Sequence, residues 1–332
     1  MNSKERIYAR LAGQPVDRIP NLNIVMLFAA QHAGIPYKKF CTDYRYLVEA
    51  QTRTAEDFGI DILSTMSDSY REVSDFGGKI RFPEDDLPIC EAALLQSEED
   101  LPLLKDFDPA SGGRMADRIN AIRLFKEQNG ERYPILGWIE GPWAEFTDLA
   151  SLSEGMLMMF DAPEFVEEAT NIITEKEIEC AIAQIQAGAD IIGIGDAAAS
   201  LLSPESYRHW VFPLEKKMVD AIHQHGGKVK LHICGNITHL LPDLILTGAD
   251  IVDIDYMVDY EKSIALAGEK CCICGNLNPT ELILQNKPES IIHETNRLQR
   301  LAGARGIISS GCEIPRLTPE ENVKAIADAL RN

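Results

Sequence analysis

Residues 226–236 read GGKVKLHICGN, and this stretch decides the fold class of the chain. A glycine just after a helix adopts the left-handed conformation that lets the chain turn back. The same pattern, a glycine followed by a short strand, recurs at Gly188, Gly248, Gly268 and Gly303. These strands are apolar along most of their length, as expected when both faces of a parallel sheet are covered. The C-terminal half is therefore predicted to alternate helices with parallel strands.

The N-terminal half adds three strands to this pattern, and 77–90 is predicted to form a β-hairpin or an extended insertion. The predicted strands are 19–28, 62–68, 134–141, 189–196, 227–235, 249–256, 271–277 and 306–313. Eight strands alternating with helices predict an α/β fold: one (β/α)8 TIM barrel with an N-terminal helical and hairpin elaboration. We expect a single domain over 1–332 with an insertion at about 77–130. An open α/β sheet is the alternative, although no G-x-G-x-x-G turn follows the first strand.

The charge composition of the chain excludes some classes of binding partner. The 332 residues include 32 Lys and Arg against 52 Asp and Glu, a formal net charge of −20. Such a surface repels nucleic acid and anionic lipid. The charged N-terminus has no apolar signal core, and no apolar run approaches the roughly 18 residues of a membrane span. We expect a cytoplasmic protein whose eight cysteines are free thiols and not a disulfide framework.

The active site of a (β/α)8 barrel lies at the carboxyl ends of its strands. The polar residues predicted there are Asp68, Glu140, Asp196, His232, Cys234, Asp253, Asp255, Asn276 and Cys312. These side chains are the candidates for catalysis and ligand binding.

Three of these residues have the spacing of metal ligands. His232 and Cys234 stand at i and i+2 of one strand, so their side chains project to the same side. Cys312 ends the eighth strand, and a barrel lets both strand ends face one central space. One imidazole and two thiolates suit Zn²⁺, and three protein ligands leave a fourth position open, as in catalytic zinc sites.

A second cysteine group competes for this role. Cys271, Cys272 and Cys274 lie on the seventh strand, where CICGN at 272–276 echoes HICGN at 232–236. Cys271 and Cys274 face opposite sides of a strand and could not easily share a metal. Small thiols that pack the barrel interior are the simpler interpretation, with Cys274 as a spare soft donor near the site.

The chain resembles the uroporphyrinogen decarboxylase superfamily, and within it the cobalamin-dependent branch that includes methylcobalamin:coenzyme M methyltransferases. The resemblance runs from RIYARLAGQPVDRIP at 6–20, through SPESYRHWVFPLEKKMVDAIHQHGGKVKLHICGN at 203–236, to SSGCEIPRLTPEENVKAI at 309–326. The zinc pattern of this family, His-x-Cys and a distant Cys, corresponds to His232, Cys234 and Cys312. The family fold is the same barrel.

This resemblance implies a zinc-dependent methyltransferase that moves a methyl group between a corrinoid (methylcobalamin) and a thiol or similar acceptor. The chain has no D-x-H-x-x-G cobalamin motif, so a separate corrinoid protein would supply the corrinoid. The alternative within enzymes is a donor-side methyltransferase acting on a methoxy or methylamine compound. Decarboxylation of uroporphyrinogen is disfavoured, because 19–37 lacks the arginine-rich motif of the decarboxylases. A non-catalytic, metal-stabilised binding protein is the alternative from another class.

The remaining candidate residues form two groups. Those predicted to be catalytic are Glu140, Asp196 and Asp255, and those predicted to bind the cofactor are Trp138, Trp143 and Asn276. Glu140 is a candidate fourth ligand, proton acceptor or partner of a ligand. Asp196 and Asp255 would orient ligands or substrate. The two tryptophans flank Glu140, where they could form an apolar wall against a flat ligand.

Overall fold

A computed structural model describes residues 1–105, 107–109 and 111–331. Its strands are β1 (Leu63–Ser64), β2 (Ile80–Arg81), β3 (Ile89–Cys90), β4 (Ile135–Glu140), β5 (Ile191–Gly195), β6 (Lys228–Ile233), β7 (Ile251–Ile254), β8 (Cys272–Leu277) and β9 (Gly306–Ser310). Seven strands of the described residues form one parallel sheet in the order β1-β4-β5-β6-β7-β8-β9, and β2 and β3 form an antiparallel hairpin.

Helices surround this sheet. They are α1 (Ser3–Leu11), α2 (Leu27–Ala33), α3 (Tyr37–Thr42), α4 (Tyr44–Phe58), α5 (Arg71–Asp75), α6 (Leu101–Lys105), α7 (Gly113–Asn129), α8 (Pro142–Ala150), α9 (Leu152–Asp161), α10 (Pro163–Ala187), α11 (Pro204–Trp210), α12 (Phe212–Gln224), α13 (Leu241–Leu246), α14 (Tyr260–Ala267), α15 (Pro288–Leu301) and α16 (Glu320–Arg331). Shorter turns of 3₁₀-helix follow β5 (Ala197–Leu201) and precede α6 (Glu98–Asp100), and a π-helical turn follows β8 (Pro279–Leu284).

The segment 20–22 joins the two edges of the sheet. The Leu22 amide donates to the Ile308 carbonyl on β9 at 2.9 Å, and the Ile308 amide donates to the Pro20 carbonyl at 3.1 Å. On the other side, the Asp61 amide just before β1 donates to the Asn21 carbonyl at 2.8 Å. The sheet therefore curls until its edges meet through this segment, and the barrel fold expected from the sequence is confirmed.

The first predicted strand, 19–28, differs from the structure. Only Asn21 forms a bridge, to Ile308, and α2 already begins at Leu27. The amide of Ser310 on β9 donates to the side-chain carbonyl of Asn23 at 2.6 Å, so a side chain takes the place of a backbone ladder partner. The predicted strand at 62–68 likewise shortens to β1. The other six predicted strands coincide with β4–β9, and the predicted hairpin with β2–β3.

Two glycines of β5 leave room for Trp138 inside the barrel. A Cβ added at Gly193 would lie 2.2 Å from the indole ring, and one at Gly195 would lie 2.6 Å from it. Neither position can carry a side chain without displacing Trp138, which is itself 1% exposed. The GIG sequence of β5 therefore places a flat aromatic side chain beside the strand ends of β4–β6.

In the part of the chain that the structure describes, no helix combines the length and the apolar character needed to cross a membrane.

Candidate metal centre

Strands β6 and β9 deliver the three predicted metal ligands. His232 lies on β6, Cys234 follows its last residue, and Cys312 lies two residues beyond β9. Gly235 has a φ of 85°, a left-handed conformation in which glycine is not strained, and it turns the chain away directly after Cys234. Both thiols therefore sit at the mouth of the barrel. We call His232, Cys234 and Cys312 the ligand cluster.

The ligand cluster has the geometry of a metal site. Among the described residues it is the one group of three or more His, Cys, Asp or Glu side chains whose ligand atoms converge, all within 4.8 Å of one another. The Cys234 and Cys312 sulfurs are 3.7 Å apart, and His232 Nε2 is 3.1 Å from Cys234 Sγ. Two sulfurs bound tetrahedrally at about 2.3 Å from a zinc ion lie about 3.8 Å apart. The donor set and the sulfur separation therefore fit zinc.

A carboxylate on β7 backs the imidazole. Asp253 Oδ2 lies 3.1 Å from His232 Nδ1, which leaves Nε2 to face the two sulfurs. Histidine ligands of metals usually carry such a partner, because it fixes the tautomer and the ring orientation. Burial opposes protonation of His232, but Cys234 and Asp253 together raise the pKa of its imidazole well above the usual value. Binding of a metal ion at Nε2 would therefore compete with protonation of His232.

The two thiols differ in charge in the metal-free chain. A hydrogen bond from the Cys234 thiol lowers the pKa of Cys312 to about 4. That same bond and burial raise the pKa of Cys234. The site thus already holds one thiolate at neutral pH.

The ligand cluster lines a cavity of about 340 Å³. The lining residues are Ile24, Met26, Met66, Asp68, Ser69, Tyr70, Leu87, Pro88, Trp138, Glu140, Gly195, Ala197, His232, Cys234, Cys312 and Glu313. Such a volume is at the lower end of the range for small-molecule sites.

Glu140 and Trp138 form one wall of this cavity. Trp138 Nε1 donates a hydrogen bond of 2.9 Å to Glu140 Oε1. Burial raises the pKa of Glu140 well above its usual value, and the nearby carboxyl groups of Glu72 and Asp148 add to this effect. Glu140 therefore faces the cavity as a carboxyl group that keeps its proton to higher pH than an exposed glutamate does.

Asp196 and Asp255 contact backbone near the strand ends. Asp196 accepts from the Ala144 amide at 2.7 Å, so it holds the first turn of α8, and burial raises its pKa to about 7. Asp255 accepts from the Gly235 amide at 2.8 Å, directly beside Cys234. Asp255 thus fixes the loop that carries a ligand, whereas Asp196 does not line the cavity.

Trp143 and Asn276 lie outside the metal cavity. Trp143 is fully buried and packs against Phe146, with ring centroids 5.4 Å apart. Asn276 lines a separate groove of about 910 Å³ and donates to the Val258 carbonyl at 2.6 Å. The structure does not bring these two predicted cofactor-binding residues to the ligand cluster.

The second cysteine group lies deeper in the barrel. Cys274 is fully buried and pairs in register with Asp253, at the level of His232 and below Cys234. Cys272 is the first residue of β8, and its thiol contacts the Arg10 carbonyl at 3.5 Å, at the opposite end of the strand from the ligand cluster. Neither belongs to the converging ligand group.

Sequence reasoning did not assign several residues of the site. Glu313 follows Cys312 directly and accepts from the Leu27 amide at 2.7 Å, and burial raises its pKa to about 7. Tyr70 lies between β1 and α5, and Leu87 lies between the two strands of the β2–β3 hairpin. No periodicity in the sequence places them beside the cavity. The position of Glu313 next to a predicted ligand was a signal that could have found it.

A separate buried group lies between β4 and the outer helices. It consists of Glu72 on α5, Arg118 on α7, Glu145 on α8 and Glu177 on α10, all fully buried, and we call it the carboxylate cluster. Arg118 Nη1 donates to Glu72 at 2.7 Å and to the Trp138 carbonyl at 2.8 Å. Among the described residues, neither oxygen of Glu145 has a hydrogen-bond partner. Burial raises the pKa values of Glu145 and Glu177 well above the usual range.

A parallel (β/α) barrel with three converging nitrogen and sulfur donors at its mouth is the class that fold and site define. The profile of the uroporphyrinogen decarboxylase (URO-D) family matches residues 2–332, and the chain belongs to that family. The resemblance found in the sequence is therefore confirmed.

The chain is similar to methyltransferases over nearly its full length. Methylcobamide:CoM methyltransferase MtbA of Methanosarcina acetivorans is 27% identical over 338 residues, which cover 99% of this chain and 97% of that protein. A solved structure of a methyltransferase from Methanosarcina mazei superposes with a TM-score of 0.89 at 25% identity, covering 99% of this chain and 98% of that one. Uroporphyrinogen decarboxylase of Carboxydothermus hydrogenoformans is 24% identical over 317 residues, or 89% and 85% of the two chains.

Proposed function

We propose that the protein is a zinc-dependent methyltransferase that moves a methyl group between a protein-bound corrinoid and a thiol or similar acceptor. The observation that carries this proposal is the convergence of His232, Cys234 and Cys312 on the wall of a small cavity at the barrel mouth. The full-length similarity to methylcobamide:CoM methyltransferases supports it.

The ligand cluster would hold the ion through one nitrogen and two sulfurs, with a fourth position facing the cavity. Zinc bound there would lower the pKa of a thiol in the open position, so that the thiol binds as its thiolate. In the overall reaction the carbon–sulfur bond forms and the cobalt–carbon bond breaks. The bonding electron pair would stay with the corrinoid substrate, and the thiol proton would be released to solvent.

The chain's own side chains would position the acceptor. The Glu140 carboxyl group lies on the cavity wall, where Trp138 holds it and its pKa is raised, and in its protonated form it would donate a hydrogen bond to the acceptor. Asp255 holds the Gly235 amide and so fixes the approach of Cys234. Asp196 would act at a distance, by holding α8 against the end of β5.

We propose that the corrinoid arrives on a partner protein that docks at the mouth of the barrel. The cavity of about 340 Å³ would take the small acceptor, and the corrin ring would lie across its entrance. Exposed apolar side chains that such a partner could cover lie in the hairpin (Leu87 and Ile89) and in the segments that follow β5, β7 and β9 (Leu201, Tyr256, Met257 and Leu317). Because the chain carries a net charge of −20, the partner is expected to present a neutral or basic face.

Decarboxylation of a tetrapyrrole with many carboxylates suits this cavity poorly. Its lining includes Asp68, Glu140 and Glu313 and, among the described residues, no lysine or arginine. Asp68 is already paired with Arg114 at 2.6 Å.

The first test is metal content per chain in the native protein and in Cys312→Ala. We expect one zinc per chain in the native protein and its loss in the variant. Cobalt substitution then allows titration with a thiol, and a shift of the cobalt absorption bands would establish an open position. Zinc that stays in Cys312→Ala contradicts the ligand set, and a cobalt spectrum unaffected by thiol favours a binding protein with a structural metal.

The second test decides the direction of transfer. We expect methylated thiol to form from methylcobalamin and a thiol. The donor-side alternative predicts instead that methyl-Co(III) forms from Co(I) corrinoid protein and a methoxy or methylamine compound. Incubation of the zinc-loaded protein with each substrate set distinguishes the two.

A further inference from the structure

Lys230 is a buried cation beneath the metal cavity. It lies on β6 two residues before His232, so both side chains project into the barrel, and it is 1% exposed. Its Nζ lies 6.0 Å from the centroid of the Trp138 ring, which lines the cavity. Lysine is almost never fully buried unless it is paired.

The partner of Lys230 is the carboxylate that backs the metal ligand. Lys230 Nζ forms an ion pair with Asp253 Oδ2, and the same oxygen lies 3.1 Å from His232 Nδ1. Asp253 is fully buried, and its position on β7 is in register with His232 on β6. Lys230, Asp253 and His232 thus form a continuous line of charged and polar contacts that ends at the metal site.

Counting charges shows why this line needs a cation. The thiolates of Cys234 and Cys312 together with Asp253 carry three negative charges, and a divalent ion offsets two of them. A thiolate entering the open position would leave two unbalanced negative charges in a buried site. Lys230 reduces this excess to one, and no lysine or arginine among the described residues lines the cavity to do so instead.

We propose that Lys230 is a positioning residue that holds Asp253 against His232 and supplies the positive charge that favours an anionic thiolate over a neutral ligand in the open position. This inference rests on the proposed function, since it concerns the acceptor of the same site. It makes Lys230 a determinant of ligand charge selectivity without direct contact with the ligand.

The experiment compares an anionic and a neutral ligand on cobalt-substituted protein. The dissociation constants of 2-mercaptoethanol, which binds as a thiolate, and of imidazole, which binds neutral, are read from the cobalt absorption bands. In Lys230→Met we expect the thiol to bind about tenfold more weakly, with imidazole binding unchanged. A purely structural defect would weaken both ligands together.

Charge-balanced variants complete the design. Asp253→Asn should bind the thiol more tightly than the native protein, and Lys230→Met/Asp253→Asn should return to the native affinity because the two charges are removed together. These two variants also carry the test if Lys230→Met does not fold. Lys228→Met is the matched control on the same strand. Lys228 pairs with Asp250 at 2.9 Å, but its side chain is 41% exposed and does not contact Asp253. It should change neither dissociation constant.

The outcomes separate the two proposals. A native protein that binds no thiol overturns both this inference and the proposed function. A native protein that binds thiol, with equal affinity in Lys230→Met, overturns only the role of Lys230. The same holds if the double variant stays as weak as Lys230→Met.

Discussion

Two groups of buried ionisable side chains lie on opposite sides of β4, and they are organised in different ways. Inside the barrel, His232 contacts Asp253, which in turn pairs with Lys230, so the buried charges balance one another. Outside the barrel, the carboxylate cluster places one cation, Arg118, among three glutamates, and Glu145 has no hydrogen-bond partner among the described residues.

This contrast distinguishes buried groups that keep their charges from buried groups that become neutral. A buried charge persists only when it is paired, and otherwise the group takes up a proton and becomes neutral. The inner group keeps its charges, and its contacts lead to His232 in the ligand cluster, as expected for a metal site. In the outer group, burial raises the pKa values of Glu145 and Glu177 so that they keep their protons, and we expect this group to affect stability and not chemistry. The following predictions test this division.

The largest effect is expected at a ligand of the inner group. Cys234→Ala removes one of three donors, so zinc affinity should fall by more than the roughly 100-fold that the loss of a ligand's hydrogen-bond partner costs. Cys274→Ala, on the strand with the echoing CICGN sequence, should retain one zinc per chain. Zinc competition with a chromophoric chelator measures both variants. Equal zinc loss in the two would show that β8 also supplies a ligand.

Thiol reactivity should divide the cysteines in the same way. Cys90, Cys234 and Cys312 are partly exposed, whereas the other five are buried. Without zinc we expect Cys90 and Cys312 to react fast and Cys234 to react more slowly, because its raised pKa keeps it a thiol; after zinc is added only Cys90 should react fast. The five buried thiols should be slower by about a hundredfold or more, because they react only after local opening. Labelling with a disulfide reagent followed by peptide mass analysis identifies them. Fast labelling of Cys234 in the zinc-loaded protein would contradict its role as a ligand.

Glu145→Gln should reduce the pH dependence of stability. Burial raises the pKa of Glu145, so above about pH 4.3 the unfolded chain releases a proton that the folded chain keeps. Native stability therefore falls as pH rises, by about 1.4 kcal/mol per pH unit for each such group, until the folded pKa is reached. In Glu145→Gln the free energy of unfolding should fall less steeply with pH, because one such group is removed. The variant should therefore be more stable than the native protein at pH 7 but not at pH 4.

Urea unfolding between pH 4 and pH 8 measures that slope. Glu72→Gln is the matched control, because it removes the partner of Arg118 and should destabilise the chain at pH 7. If Glu145→Gln loses stability at pH 7 as Glu72→Gln does, then Glu145 is paired and charged, and the contrast between the two groups fails. Zinc content should be unchanged in Glu145→Gln.

The sequence predicted the barrel and the converging ligands because both depend on local patterns. A glycine that ends a helix and an apolar strand after it are encoded within about ten residues, and His232 and Cys234 are two residues apart on one of those strands. The strand expected at 19–28 failed for an equally local reason: side-chain amides such as Asn23 take over hydrogen bonds that a strand would make with its backbone.

The residues that sequence reasoning missed depend on contacts between distant elements. Asp253 was recognised as a strand-end residue, but its role follows from the register of β7 against β6, which no spacing reveals. Nor did the sequence show that HICGN and CICGN lie at different heights in the barrel: the register sets Cys274, not Cys272, level with His232. The carboxylate cluster draws its four members from four helices and carries no motif.

The smallest effect is expected at Trp138, whose backbone carbonyl contacts Arg118 and whose side chain faces the cavity. Trp138→Phe removes the donor to Glu140, a neutral hydrogen bond worth about 0.5–1.5 kcal/mol. The KM for the thiol acceptor should rise about three- to tenfold, with zinc content and kcat nearly unchanged, as steady-state kinetics with methylcobalamin would measure. Trp143→Phe is the matched control, because Trp143 is buried outside the cavity and should lower stability without changing KM. A KM effect in Trp143→Phe equal to that in Trp138→Phe would instead support the prediction that both tryptophans bind the cofactor, and would extend the functional wall beyond the cavity.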